Sequence, residues 1–294
     1  MRYRPLVPEF RGGSKHMMSQ PKMVLDLQRE AEVSRTPCGQ GDLVWRKWGS
    51  GAPVVLCHGG SGSWTHWIRT IPTLRHHYEV WVPDLPGLGD STMPPPPFTP
   101  ASSAEVLAAG LRMLISEERP VHLVGFSFGA HVATLAAANL GSRLADLTII
   151  GSAALGLPFP TLQFPKERSS MTAEERRQVH RRTLEILMFA DPANVDDLAI
   201  DIQAMNIARA RFRSREFATT DEVRTTLARV KVPVKAIWGE RDVLARPSVE
   251  ACFEVLRLHH PELITRVIPG AGHWVMYEAA DAFNAALLEL LKVG

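Results

Sequence analysis

The stretch LVGFSFGAHVA, residues 123–133, decides how the rest of the chain is read. It passes from an apolar, strand-like run (Val121 to Gly125) into a helix-like run (Ala130 to Asn139) through Gly125-Phe126-Ser127-Phe128-Gly129, with no loop between them. So tight a turn needs positions without side-chain bulk on both sides of its apex, and Gly125 and Gly129 supply them. A polar residue at that apex cannot hide. The pattern G-x-S-x-G between a strand and a helix therefore predicts a strained turn that presents the Ser127 hydroxyl above the sheet. The Phe128 N–H, at the start of the helix, is expected to face charge developing on a substrate carbonyl oxygen.

A serine hydroxyl is a weak nucleophile at neutral pH, so it needs a base, and the base needs an acid to orient it. Both are sought further along the chain. After the strand-like run Val234 to Trp238 comes GERDVLA, which puts Asp242 just past a strand end; after Ile264 to Ile268 comes PGAGHWV, which puts His273 in the same kind of position. The chain order Ser127, Asp242, His273 is one that a strand–turn–helix nucleophile is known to take. Glu240 is the competing acid. The run LCHGGSGSW follows the strand Pro53 to Cys57. Its glycines let the backbone approach a ligand and expose N–H groups, so Gly60 with Phe128 is read as an oxyanion pair, each donor being worth about 3–4 kcal/mol in a transition state. His58, just before these glycines, is read as a brace for the loop.

Outward from this centre, short apolar runs alternate with longer amphipathic ones, the pattern of parallel strands joined by helices. Strands are expected at residues 53–57, 79–83, 121–125, 147–151, 234–238 and 264–268. Ser102 with Glu105 and Thr172 with Glu175 have capping-box spacing, and Leu287, Leu288 and Leu291 form the stripe of a last helix. The fold class is α/β, a mostly parallel, doubly wound sheet. From Leu157 to Asp221 the alternation stops: Pro158 and Pro160 precede a charged helix from Ala173, and a second helix carries Val195, Leu198, Ile202 and Met205. The division is a core of residues 18–156 and 222–294, with a helical cap insertion at 157–221 over the carboxyl ends of the strands. Residues 1–17 (MRYRPLVPEFRGGSKHM) are basic, rich in Pro and Gly and without period, and read as an expression leader or a disordered tail.

With 45% hydrophobic residues, 22% charged residues and a formal net charge of +2, the composition argues against a nucleic-acid binder or a disordered chain. Cys38, Cys57 and Cys252 lie far apart with no C-x-x-C pair, which fits a reducing cytoplasm better than a disulfide framework or a zinc site. No run approaches the length of a membrane span. No cofactor, metal or phosphate-cradling loop is implied, and a homo-oligomer is compatible with all of this.

Taken together, these motifs resemble those of the α/β-hydrolases over about Leu43 to Val293. VPDLPGLGDS (Val82 to Ser91) resembles that family's D-x-x-G-x-G-x-S segment, in which Asp84 and Asp90 are structural. Within the family, HGGSGSW, the cap and GHWVMYEAADAFN (Gly272 to Asn284) resemble the hydrolases that split carbon–carbon bonds in meta-cleavage products. Those enzymes commonly carry Asn before the nucleophile and Gly-Gly after it, where this chain has Phe126 and Gly129-Ala130. The resemblance implies a small-molecule substrate, an ester or a diketone, and the loss of Asn favours an apolar ester. Phe126, Trp64, Trp274 and Met276 are candidates to line the pocket. Arg209, Arg211 and Arg213, placed on the second cap helix, and Arg181 and Arg182 on the first, are candidates to hold a substrate carboxylate. An acyltransferase and a non-catalytic receptor on the same scaffold are the rival readings.

Overall fold

In the computed structural model, residues 20–292 are described; the stretch 1–17, read above as a leader or tail, lies outside them. Eight strands, β1 (Glu32–Cys38), β2 (Gly41–Trp48), β3 (Ala52–Cys57), β4 (Tyr78–Pro83), β5 (Val121–Phe126), β6 (Leu144–Ile150), β7 (Val234–Gly239) and β8 (Ile264–Ile268), form one sheet. Their order is β1-β2-β4-β3-β5-β6-β7-β8. The pairs β1/β2 and β2/β4 are antiparallel and the remaining pairs parallel.

All six strands expected from sequence are present, and β1 and β2 are additional. β1 is an edge strand with Pro37 in it and mostly exposed side chains, so it carries little hydrophobic signal. β2 hides a charge: Arg46 is 4% exposed and pairs with Asp84 at 2.9 Å and with Asp90. β6 begins three residues before the expected Leu147, taking in Asp146. That carboxylate is buried because Lys235 Nζ, at 2.7 Å, and the His122 ring, at 2.8 Å, meet it under the sheet. Buried charges of this kind need a partner, which the local sequence does not reveal.

The helices are α1 (Lys22–Glu30), α2 (Ile71–Leu74), α3 (Pro100–Leu114), α4 (Phe128–Leu140), α5 (Ala173–Leu187), α6 (Asp197–Ile207), α7 (Glu222–Leu227), α8 (Val249–Arg257), α9 (Val275–Glu278) and α10 (Ala280–Lys292). They cover both faces of the sheet, because neighbouring strand residues point to opposite sides. Val55 and Leu123 join Leu107 of α3, Val132 of α4 and Phe253 of α8 in one apolar cluster. Val54, Leu56 and Val124 join Val24 of α1 and Leu287 and Leu290 of α10 in the other. Burying a leucine fully in either contributes roughly 2 kcal/mol before its ordering entropy is counted.

One expected helix signal shifts. α3 is capped by Thr99, whose hydroxyl accepts the Ser102 N–H while the Ser102 hydroxyl accepts the Thr99 N–H, so Ser102 is the third helical residue and not the cap of a box with Glu105. Thr172 and Glu175 do form the reciprocal box at the start of α5. Between β6 and β7 the described chain has no strand: residues 151–172 are irregular and helices follow from Ala173, and α6 ends at Ile207, so Arg209, Arg211 and Arg213 follow the helix instead of lying on it. The three cysteines are buried and free. No helix among the described residues is long and apolar enough to cross a membrane.

Candidate active site

Ser127 sits between β5 and α4 with φ 52° and ψ −117°, a conformation that costs an L-residue roughly 1–3 kcal/mol. The fold holds it there by backbone bonds: its N–H donates to Ile150 O of β6 at 2.8 Å, and its carbonyl accepts the Ala130 N–H at 3.0 Å. The two flanking glycines are required by close approach. A Cβ on Gly129 would lie 2.3 Å from Cys57 O and 2.4 Å from His58 O, and one on Gly125 would lie 2.5 Å from the Ala130 Cα. The helix thus packs against the ends of β3 and β5 at a distance that no side chain allows.

Three strand ends converge on this turn. His273, beyond β8, has Nε2 at 3.0 Å from the Ser127 hydroxyl and Nδ1 at 2.9 Å from Asp242 Oδ2, beyond β7. The other carboxylate oxygen of Asp242 accepts the Leu244 N–H at 2.9 Å. A carboxylate only accepts, so Nδ1 carries the proton and the Nε2 lone pair faces the serine. Such an arrangement can draw the proton from a hydroxyl as it attacks a carbonyl carbon. Asp242 and His273 are buried, which keeps water from competing for these bonds. Glu240 is turned elsewhere: its carboxylate accepts the Gly270 N–H at 2.8 Å and braces the turn after β8.

From the end of β3, Gly60 reaches the same space. Neither its N–H nor that of Phe128 donates to another group among the described residues, so both are free to meet an oxygen. His58 shapes the loop from below. Its Nε2 accepts the Leu85 N–H at 2.8 Å, so its Nδ1–H donates to Gly59 O at 2.8 Å, and burial lowers its pKa and favours the neutral ring.

Over Ser127 opens a cavity of about 350 Å³, within the usual range for small-molecule sites. Its walls are Phe126 and Phe128 from the turn, Leu187 and Met188 from the end of α5, and Leu162 and Phe164 from the segment before it. Trp64 and Trp274 do not line it. Trp64 packs on Trp48 with ring centroids 5.6 Å apart. Trp274 stacks on Tyr277 at 4.2 Å and donates its indole N–H to His66 O at 3.0 Å, one layer behind the wall. Met276 is wholly in the core.

The arginines singled out from sequence are engaged elsewhere. Arg209 pairs with Asp90 at 3.1 Å, Arg211 donates to the carbonyls of Gly89 and Ser91, Arg213 pairs with Glu216, Arg181 donates to Val195 O, and Arg182 pairs with Glu185. The arginine that reaches the cavity is Arg215, an exposed residue whose guanidinium lies 4.1 Å over the Phe164 ring.

Two further residues at the site escaped the sequence reading. Glu278 of α9 accepts the N–H of Gly272, just before His273, at 2.7 Å, and also those of Ala190 and Asp191 after α5, at 3.0 and 2.9 Å. One carboxylate therefore ties the histidine turn to the helical segment. His66, in the helical turn Trp64–Trp67, lines the cavity and accepts the Gly59 N–H on Nδ1 at 3.2 Å. Both act on backbone N–H groups, Glu278 on partners far away in the chain and His66 on Gly59, so residue types and spacing carry no signal of either role.

Comparison with known proteins agrees with this architecture. The sequence profile of the Alpha/beta hydrolase family matches residues 54–286, and the chain belongs to that family of enzymes. It is 26% identical over 272 residues to a 2-hydroxy-6-oxononadienedioate/2-hydroxy-6-oxononatrienedioate hydrolase of Escherichia coli O81 (strain ED1a), covering 86% of this chain and 88% of that protein. It is 29% identical over 260 residues to the dihydrolipoyllysine-residue acetyltransferase component of the acetoin cleaving system of Pseudomonas putida, covering 85% of this chain and 66% of that protein. Among solved structures, a meta-cleavage product hydrolase from Pseudomonas fluorescens IP01 superposes with a TM-score of 0.71 at 21% identity, covering 90% of this chain and 98% of that one. A thermophilic esterase from Thermogutta terrifontis superposes with a TM-score of 0.66 at 24% identity, covering 89% and 98%. These two likenesses speak for the fold alone.

Proposed function

We propose that the protein is a serine hydrolase that cleaves carboxylic esters with an apolar part through an acyl-enzyme. The observation that carries this reading is the continuous hydrogen-bonded line from Asp242 through His273 to Ser127, opening on a cavity walled mainly by aromatic and aliphatic side chains. Ser127 Oγ attacks the ester carbonyl carbon while His273 Nε2 takes the serine proton, and Asp242 holds the imidazole in its working tautomer and stabilises its charge. The Gly60 and Phe128 N–H groups stabilise the oxyanion. His273 returns the proton to the departing alkoxide, and then serves as base for the water that releases the acid and restores the serine. In this reading the helical segment 157–221 is the cap that shapes the acyl site.

A second reading is hydrolysis of the carbon–carbon bond of a 2-hydroxy-6-oxo-dienoate. It draws support from the name of the Escherichia coli relative. Against it stands Phe126, an apolar ring on the cavity wall beside the serine. The Pseudomonas putida relative is named as an acetyltransferase component, and the ratio of transfer to hydrolysis with an added alcohol or thiol tests that reaction.

The deciding experiment compares a short p-nitrophenyl ester with a 2-hydroxy-6-oxo-dienoate, in the wild type and in Ser127→Ala. Serine-dependent cleavage of the ester in preference to the dienoate is the expected result. Preferred turnover of the dienoate would replace the first reading by the second.

A further inference from the structure

His66 has no task in the mechanism just described, yet it is 3% exposed and lines the cavity that holds Ser127 and His273. Its orientation is fixed from several sides. Nδ1 accepts the Gly59 N–H at 3.2 Å. The His66 carbonyl accepts the Trp274 indole N–H at 3.0 Å, and the ring lies 5.1 Å from that of Trp274 and 5.7 Å, edge to face, from that of Phe126. Since Nδ1 is an acceptor, a neutral ring carries its proton on Nε2. The neutral ring is the one present at pH 7, because burial, then the neighbouring His58 and His273, hold its pKa well below the ordinary value.

Nε2–H has no partner among the described residues, and it is not one of the sealed, unpartnered polar atoms of the interior. It therefore opens on the cavity. A donor whose direction is fixed by packing and that opens on a substrate site can exchange its water for an acceptor that arrives with the substrate. An uncharged N–H selects an oxygen lone pair, and Phe126, packed against the ring, offers that oxygen no other bond.

We propose that His66 is a substrate-orienting donor, and that the substrates are acyl compounds bearing a second, uncharged acceptor oxygen, as keto, ether or hydroxyl, near the scissile carbonyl. The proposal rests on the hydrolytic reading above and narrows it from plain alkyl esters to oxygen-substituted ones. It also gives His66 two functions: Nδ1 holds the backbone at Gly59, next to the oxyanion donor Gly60, and Nε2 sets the angle at which the carbonyl meets Ser127.

Substitution can separate these functions. In His66→Asn the side-chain carbonyl can still accept the Gly59 N–H while the cavity donor is lost; in His66→Gln an amide N–H can reach the Nε2 position. The substrates are two matched pairs: p-nitrophenyl methoxyacetate against the butanoate, and the levulinate against the pentanoate. Each kcat/KM is divided by the rate of hydroxide hydrolysis of that ester. The wild type should favour at least one oxygen-bearing ester by about 10-fold or more, His66→Asn should bring that ratio close to unity, and His66→Gln should keep part of it. Equal ratios in the wild type and His66→Asn would overturn the proposal.

A binding measurement keeps the test independent of turnover. In the Ser127→Ala protein with isotope-labelled histidine, methyl levulinate should shift the His66 Nε2–H resonance and methyl pentanoate should not. Equal or absent shifts would overturn the His66 assignment whatever bond is cut. If no ester is turned over but that shift is seen, the ester reading fails and the His66 assignment stands.

Discussion

The two longest helices around the cavity are held in different ways. α4, which starts just after Ser127, buries ten of its 13 residues and lies so close to β3 that only glycine fits at position 129. α5, which supplies Leu187 to the opposite wall, buries Leu184 alone of its 15 residues. Leu184, with Met188 and Phe189 just past the helix, packs into the apolar cluster on one face of the sheet, and polar ties add to this: Arg177 pairs with Asp197 at 2.6 Å and with Asp201 of α6, and Glu278 binds the backbone just after the helix. The parts proposed for the chemistry thus stand on the closely packed half. The opposite wall stands on helices with fewer buried positions, joined by partly exposed ion pairs that each contribute little. A dense core tolerates few changes and ion-paired helices tolerate many, so this division lets substrate choice vary without disturbing the serine turn.

Changing each half in turn tests that contrast. Gly129→Ala should be the most damaging, because its Cβ would meet backbone oxygens that cannot rotate away. A loss of about 3 kcal/mol and a fall in Tm of about 6–12 °C are expected, read by thermal unfolding. Unchanged Tm would mean that α4 is not held as described.

Acid should act next, through the buried imidazoles under the loop that carries Gly60. The pKa values of His58 and His66 are lowered in the folded state, so the unfolded chain binds protons that the native state refuses. Their contribution is therefore fully present above the unfolded pKa of about 6.5 and is lost as pH falls below it. Tm should drop between about pH 6.5 and 5, and the slope should be shallower in His66→Asn; an equal slope in both proteins would remove His66 from the account.

Arg177→Ala, on the ion-paired half, should cost at most about 1 kcal/mol, because Arg177, Asp197 and Asp201 keep contact with solvent. A loss as large as that of Gly129→Ala would break the comparison.

What the sequence revealed follows the same division. Strands β3 to β8 were legible because apolar runs between turn signals report burial directly, and Ser127, Asp242 and His273 were legible because each follows such a run at its carboxyl end. The structure brings those three side chains together with the spacing given above. What stayed hidden was pairing at long range. β2 looks too charged for an interior strand until Asp84 is seen beside Arg46, and Arg209 looks free until Asp90 meets it. Trp64 and Trp274 flank motif positions, yet their rings turn into the core, because an aromatic in sequence does not say on which side of a loop it packs. His66 and Glu278 act on backbone N–H groups, which leave no mark on the sequence.

The central claim is that Ser127 is the nucleophile, and covalent trapping tests it most directly. After incubation with a fluorophosphonate, intact-mass and peptide analysis should find one adduct, on the peptide that contains Ser127. Ser127→Ala should take up none and should lose turnover by about a million-fold, as when a comparable nucleophile is removed. An adduct on another residue, or ester hydrolysis that persists in pure Ser127→Ala protein, would contradict the account.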